Sequence, residues 1–161
     1  MNKTKRKIFE TSMDLFAKKG YEATSIEEIT SVVGVAKGTL YYHFSTKEEI
    51  FYFLVEEGMK LLKNSIDIKT SNLDNRLDKL KAIILIQIKA IKKYENFISI
   101  LLSQIWGQEQ KNKVCREYVF EYINMIEDII KEGMQKGELL QGDSSVIASR
   151  NFWFYMFNYG I

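Results

Sequence analysis

Between Ala36 and Phe44 the chain reads AKGTLYYHF, which concentrates hydrogen-bonding and aromatic groups without a single acid. At 100° per residue, Leu40 and Phe44 share one side of a helix and point into a core. Gly38, Thr39, Tyr42 and His43 spread over the opposite side, flanked by Lys37 and Tyr41. Hydroxyls, an imidazole, rings and a cation on one outer face suit the major groove of duplex DNA, where donors and apolar contacts meet base edges and phosphates. Nothing comparable supports catalysis. His43 is the sole histidine, which leaves no Ser/His/Asp set and no multi-histidine metal site. Gly133-Met134-Gln135-Lys136-Gly137 lacks the spacing and the preceding strand of a phosphate loop. The acid pairs Glu27-Glu28 and Glu48-Glu49 read as charges complementing helix dipoles. The chain is therefore read as a non-enzyme, with no catalytic residues, no metal ligands and no cofactor.

The outer face needs a support, and Thr24 to Lys47 supplies one as two short helices joined by a tight turn. Thr24 and Ser25 are N-cap types, and Glu28, three residues after Ser25, makes a capping box. Ile26, Ile29, Thr30 and Val33 then form one mostly apolar face. Gly34 can adopt the left-handed conformation that closes the helix, with Val35 packing under the corner. Before it, a helix over about Thr4 to Lys19 turns Ile8, Phe9, Ser12, Leu15 and Phe16 inward and stops at Gly20. After it, a fourth helix starts at Ser45 or Thr46, with Glu48 or Glu49 completing the cap. It continues to about Leu62 with Ile50, Phe51, Leu54, Val55, Leu61 and Leu62 as its stripe. Lys3, Lys5, Arg6 and Lys7 read equally as a phosphate grip and as a solvated basic tail.

Gly34 to Phe44, followed by Lys47-Glu48-Glu49-Ile50 and preceded by Leu15-Phe16-Ala17-Lys18-Lys19-Gly20-Tyr21, resembles the signature of the TetR family of transcriptional repressors. The likeness is dense over residues 6 to 51 and covers the rest only in layout. It implies an all-α chain: residues 1–47 a helix-turn-helix DNA-binding domain, and 48–161 a helical effector-binding and dimerisation domain. It also implies that the fourth helix connects the two. Two positions depart from the family pattern. Ala36 stands where a hydroxyl N-cap is usual, and Thr30 replaces a small alanine at the helix crossing. Candidate DNA contacts are Thr24, Ser25, Lys37, Gly38, Thr39, Tyr41, Tyr42, His43 and Lys47.

The 161 residues are 46% hydrophobic, enough for a core, and the absence of proline leaves long helices unbroken. The net charge of +2 is uneven, at +3 over residues 1–47 and −1 over the rest. A modestly basic end on a near-neutral body fits a DNA reader attached to something else. The polar start and the lone Cys115 agree with a cytoplasmic protein, in which that thiol is half-buried and inert rather than a redox sensor. No segment has the roughly 20 apolar residues of a membrane helix.

Asn64 to Asn72 is read as a connection, and Ser71 or Asn72 as the cap of a helix from Leu73 to about Tyr94. The centre of that helix, Ala82 to Ile88, is apolar nearly all round and is expected to be buried. Further helices are expected over Glu95–Trp106, over Glu109–Lys136 with Tyr118, Val119, Tyr122, Ile126, Ile129 and Ile130 inward, and over Ser145–Tyr159 capped by Asp143 or Ser144. Phe97, Leu101, Gln104, Trp106, Tyr118, Tyr122, Phe152, Trp153 and Tyr155 are the candidate ligand contacts, with Glu121 a further polar group. Any single ring is twice as readily a core or interface residue, but the family pattern implies a pocket for a small apolar or aromatic effector.

The resulting expectation is a ligand-responsive repressor that binds a palindromic operator as a homodimer, without membrane association. A DNA-bound interaction protein without an effector, and a scaffold that does not bind DNA, are the alternatives. The apolar run FWFYMFNYGI at 152–161 is expected to be buried, with dimerisation through Ser145–Ile161 and part of the preceding helix. Relatives usually continue into one more helix, and its absence here implies either a truncated chain or a dimer with a reduced surface.

Overall fold

The computed structural model describes residues 2–105 and 110–159, and every regular element among them is an α-helix. These are α1 (Lys3–Lys19), α2 (Ile26–Val33), α3 (Lys37–His43), α4 (Lys47–Thr70), α5 (Arg76–Ser103), α6 (Gln110–Gln135) and α7 (Ser144–Tyr159). They pack as two compact units, Met1–Gly58 with Asn96–Cys115, and Met59–Glu95 with Arg116–Ile161. These are packing units, distinct from the functional division expected at residue 47.

In the first unit, Asn2 caps α1 by accepting from the Lys5 N–H at 2.8 Å. The expected inner stripe is buried in full, and Met13 joins it. Gly20 ends the helix at φ 86°, and its N–H bonds the Phe16 carbonyl at 2.9 Å. The rings of Phe16, Tyr21 and Phe51 then close on one another, with centroids 5.3 to 6.4 Å apart, and Phe97 meets Phe51 at 5.8 Å. Thr46 accepts from the Glu49 N–H at 3.2 Å, and the Glu49 carboxylate accepts from the Ser45 N–H at 2.6 Å. Of the caps open in the sequence, Thr46 with Glu49 is the one formed. Cys115 is fully buried rather than half-buried.

Three expectations about the middle of the chain are corrected. The segment read as a connection from Asn64 is helical to Thr70. Ser65 behaves as a helical residue because its hydroxyl donates to the Leu61 carbonyl one turn back, at 2.8 Å. Ile66 and Thr70, four apart, are buried and hold the last turns down. The cap of α5 is Asn75, whose Oδ1 accepts from the Leu77 N–H at 2.9 Å and the Asp78 N–H at 3.3 Å, so neither Ser71 nor Asn72 starts the helix. Finally, Ala82 to Ile88 is buried on one face only. Ile83, Gln87 and Ile91 point inward at four-residue spacing, while Leu85 is 59% exposed.

The expected break after Tyr94 exists as a bend, with Tyr94 at φ −123°, ψ 27° inside α5. In α6, Val119, Tyr122, Ile126 and Ile130 are buried, and Ile123 takes the inward place expected of the half-buried Ile129. Gly137, at φ 70°, stops the helix, and the N–H groups of Glu138 and Leu139 fold back onto the Gly133 carbonyl. A Cβ at Gly133 would come within 2.6 Å of the Leu139 side chain, which would have to shift to admit it. Arg76 ties the start of α5 to this corner. Its N–H donates to Glu138 at 2.6 Å and its guanidinium to Glu132 at 2.9 and 3.0 Å. Asp143 caps α7 by accepting from the Ser145 and Val146 N–H groups at 3.0 and 3.1 Å. Ala148, Phe152 and Met156 face inward, while Val146, Phe154 and Phe157 are exposed.

The two asparagines give a direct check on the start of α5. Asn75→Ala should lower stability by about 1 kcal/mol, the usual worth of a side-chain N-cap. Asn72→Ala should change it by less than roughly 0.5 kcal/mol, as an exposed substitution away from such features. Urea denaturation of the two variants measures both, and equal losses would contradict the assigned helix start.

Candidate nucleic-acid interface

α3 is short, and its placement comes from its neighbours. Ser25 caps α2 by accepting from the Glu28 N–H at 3.1 Å. The Glu28 carboxylate pairs with the Lys19 ammonium and so ties α2 to the end of α1. Thr24 is buried, its hydroxyl donating to the Gly20 carbonyl at 2.8 Å. Thr30 is buried at the helix crossing, where its hydroxyl donates to the Ile26 carbonyl at 2.7 Å. That internal bond lets a threonine sit where an alanine is usual. Gly34 takes φ 70°, ψ 33° and turns the chain into α3.

In α3 only Leu40 is fully buried, and Phe44 closes the helix in the core against Phe53, centroids 5.0 Å apart. Lys37, Gly38, Thr39 and Tyr42 are exposed, Tyr42 to 85%, and Tyr41 and His43 are half-buried. The His43 ring lies edge-on to Tyr42 with centroids 5.2 Å apart. The structure thus brings Lys37, Gly38, Thr39, Tyr41, Tyr42 and His43 onto one short helix.

Two lysines already have partners. The Lys47 ammonium donates to the Tyr21 carbonyl at 2.8 Å and the Glu22 carbonyl at 3.3 Å, and lies 4.3 Å from the centre of the Tyr21 ring. Burial, with Glu48 beside it, pushes the Tyr21 phenol well above its ordinary pKa. Lys37 donates to Glu27 at 3.3 Å, and the Tyr41 hydroxyl donates to the same carboxylate oxygen at 3.1 Å. Glu27 was not among the sequence candidates. Its signal was a helix-start acid ten residues before Lys37, across a turn that folds α2 and α3 together. In the first turns of α1, which take up the residues read as a basic tail, Arg6 pairs with Glu10 at 3.0 Å and Lys5 lies 5.8 Å from the Phe53 ring centre.

The candidate ligand residues divide between the units. Phe97 and Leu101 are buried in the first unit and Gln104 is half-buried there; Trp106 lies outside the described residues. In the second unit Tyr122 and Phe152 are buried with centroids 6.0 Å apart, and Phe152 meets Trp153 edge-on at 5.1 Å. Tyr118, Trp153 and Tyr155 are half-buried, and Glu121 is on the surface, paired with Lys63 at 3.0 Å. The Tyr122 hydroxyl donates to Gln87 Oε1 at 3.3 Å, and burial pushes its pKa upward. Among the described residues, Gln87 Nε2 finds no acceptor. A lone amide in the apolar run Ile83 to Ile88 was the sequence signal for that position. No group of His, Cys, Asp or Glu among the described residues could hold a metal ion.

Comparison with known proteins places this geometry. Residues 8–52 match the family model for bacterial regulatory proteins of the tetR family. A candidate fatty acid metabolism regulator from Clostridium perfringens superposes with a TM-score of 0.82 at 33% identity, covering 95% of this chain and 83% of that one. This chain belongs to the TetR family. A further likeness is to YerO, an uncharacterised HTH-type transcriptional regulator of Bacillus subtilis, 36% identical over 123 residues, or 75% of this chain. The chain spans 42% of the length of YerO. The regulator FadR of Bacillus subtilis, solved in complex with stearoyl-CoA, shares the fold at a TM-score of 0.83 and 24% identity, covering 93% of this chain and 82% of that one.

Ala36 precedes α3 at φ −59°, ψ 140° and gives it no side-chain hydrogen bond. A serine hydroxyl there would accept one of the free N–H groups of the first turn. Ala36→Ser should therefore stabilise the DNA-free protein by about 1 kcal/mol. A thermal melt without that gain would contradict Ala36 as the start of the helix.

Proposed function

We propose that this TetR-family chain is a ligand-responsive transcriptional repressor, acting in the cytoplasm, that binds a palindromic operator as a homodimer. The observation that carries the reading is the outward set Lys37, Thr39, Tyr42 and His43 on a helix anchored by Leu40. With α3 in the major groove, Thr39, Tyr42 and His43 reach base edges, while Lys37 and the N-terminal lysines reach phosphates. Ser25 and Gly38 line the approach to the backbone. Thr24 and Lys47, whose polar atoms are engaged within the chain, contribute chiefly by holding the first unit together. Residues 1–47 are thus the DNA-reading part, and residues 48–161 carry effector binding and dimerisation. For dimerisation we assign the exposed apolar side of α7, with Val146, Phe154 and Phe157.

An operator selected from a random-sequence pool provides the test. Tyr42→Ala or His43→Ala should weaken binding to it by about 1–3 kcal/mol while leaving the fold intact. The complex should contain two chains per duplex. Unchanged affinity in a folded Tyr42→Ala/His43→Ala double variant would rule out this face as the reader.

For the effector we propose a long-chain acyl-CoA. Its apolar chain would lie against Tyr118, Tyr122, Phe152, Trp153 and Tyr155, and Gln87 Nε2 would donate to its thioester carbonyl. This finer reading draws on the stearoyl-CoA bound by FadR and on the apolar character of the second unit. Stearoyl-CoA should release the chain from the selected operator, and at 100 times its Kd it should raise stability by about 2.7 kcal/mol. The S-alkyl thioether analogue, which lacks the carbonyl, should bind more weakly, and Gln87→Leu should remove that difference. Operator occupancy indifferent to acyl-CoA of every chain length would overturn this effector class and favour a constitutively bound interaction protein.

A further inference from the structure

A carboxylate of α2 lies beside the exposed side chains of α3. Glu27 lies in the first turn of α2, exposed, and its Oε1 accepts a hydrogen bond from Lys37 Nζ at 3.3 Å and another from the Tyr41 hydroxyl at 3.1 Å. The Lys37 ammonium also lies 5.5 Å from the centre of the Tyr41 ring, so the three groups form one cluster bridging α2 and α3. The anion is held below the usual carboxylate range first by its backbone N–H at the helix start, then by Lys37 and Tyr41.

A cation and a hydroxyl converging on one anionic oxygen is the arrangement that a phosphate oxygen receives at a protein–DNA interface. We infer that Glu27 is an internal stand-in for a DNA phosphate, which holds Lys37 and Tyr41 in place and competes with the duplex for both. The inference rests on the proposed DNA-binding role. A lysine that neutralises a phosphate releases nearly one condensed cation, and this term supplies essentially all of sequence-independent binding. A lysine already neutralised by Glu27 releases little, and the carboxylate repels the phosphate that approaches it. The base-edge contacts of Thr39, Tyr42 and His43 do not pass through this cluster. Glu27 therefore lowers the sequence-independent part of the affinity.

The test is a cycle of Glu27→Gln and Lys37→Ala, read by fluorescence anisotropy on a mixed-sequence 30-base-pair duplex across a salt series. The glutamine side chain keeps the size and the oxygen but loses the charge. In 0.1 M salt Glu27→Gln should bind about five- to tenfold tighter than the parent, and its log K against log [salt] slope should steepen by about 0.9 per bound chain. Lys37→Ala should cost little in the parent and several-fold in the Glu27→Gln background. Asp14→Asn, which makes the same change in net charge on α1, should have a much smaller effect. Glu27→Gln binding no tighter, or Lys37→Ala costing the same in both backgrounds, would overturn the stand-in role while leaving DNA binding intact. A parent chain that fails to bind the duplex even at low salt would overturn the DNA-binding reading, and the stand-in role with it.

Discussion

The contact of three rings, Phe16 from α1, Tyr21 from the following loop and Phe51 from α4, is the constraint on which the first unit depends. Burying each such ring is worth about 1.5–3 kcal/mol. The Lys47 ammonium adds a cation over the Tyr21 ring and bonds the carbonyls of residues 21 and 22. The loop after α1 is thereby pinned from both sides, which fixes where α2 must begin. Helices of eight and seven residues are too short to be stable alone. α2 and α3 exist because Ile29, Val33 and Leu40 reach this core and are fully buried there.

That dependence explains how a poorly capped helix keeps its place. α3 has an alanine before it and a glycine in its first turn, both unfavourable locally. Its position is set instead by Leu40, by Phe44 against Phe53 and by the left-handed Gly34. Gly38, Thr39 and Tyr42 are exposed, while Lys37 and Tyr41 bond Glu27 of α2. A recognition surface can vary freely only where the fold does not need it.

The same distinction decides how much was legible in the sequence. α2, its Ser25 cap, the Gly34 corner and the two faces of α3 could be read from residue types because local chemistry and burial agree there. Ser65 misleads because serine signals a turn only when its hydroxyl competes for the backbone; here it bonds one turn back and the helix runs on. Asn72 and Asn75 are equally good caps on paper, and the Arg76 anchor to Glu132 and Glu138, far away in sequence, belongs to the second. The run at 82–88, apolar but for Gln87, conceals which side faces inward, since periodicity carries little signal when neighbouring positions are alike. Lys37 and Lys47 look equivalent as cations. Only the fold shows one held by a carboxylate on the surface and the other by carbonyls over a ring.

Gln87 shows where stability ceases to explain a residue. It is 1% exposed, has one long bond to Tyr122, and leaves Nε2 without an acceptor among the described residues. An unsatisfied buried donor costs about 1–3 kcal/mol, whereas leucine at that position would bury comparable volume without the penalty. Tyr122 carries the same tension, with a buried hydroxyl that makes one long bond, to that same amide. Replacing both by apolar side chains of the same shape can be nearly neutral for stability. Under the proposed effector binding, the pair is a polar feature of the ligand site rather than a contribution to the core. An apolar wall can sort ligands by size and shape, but only a buried donor left unpaired can reject one that lacks the matching oxygen.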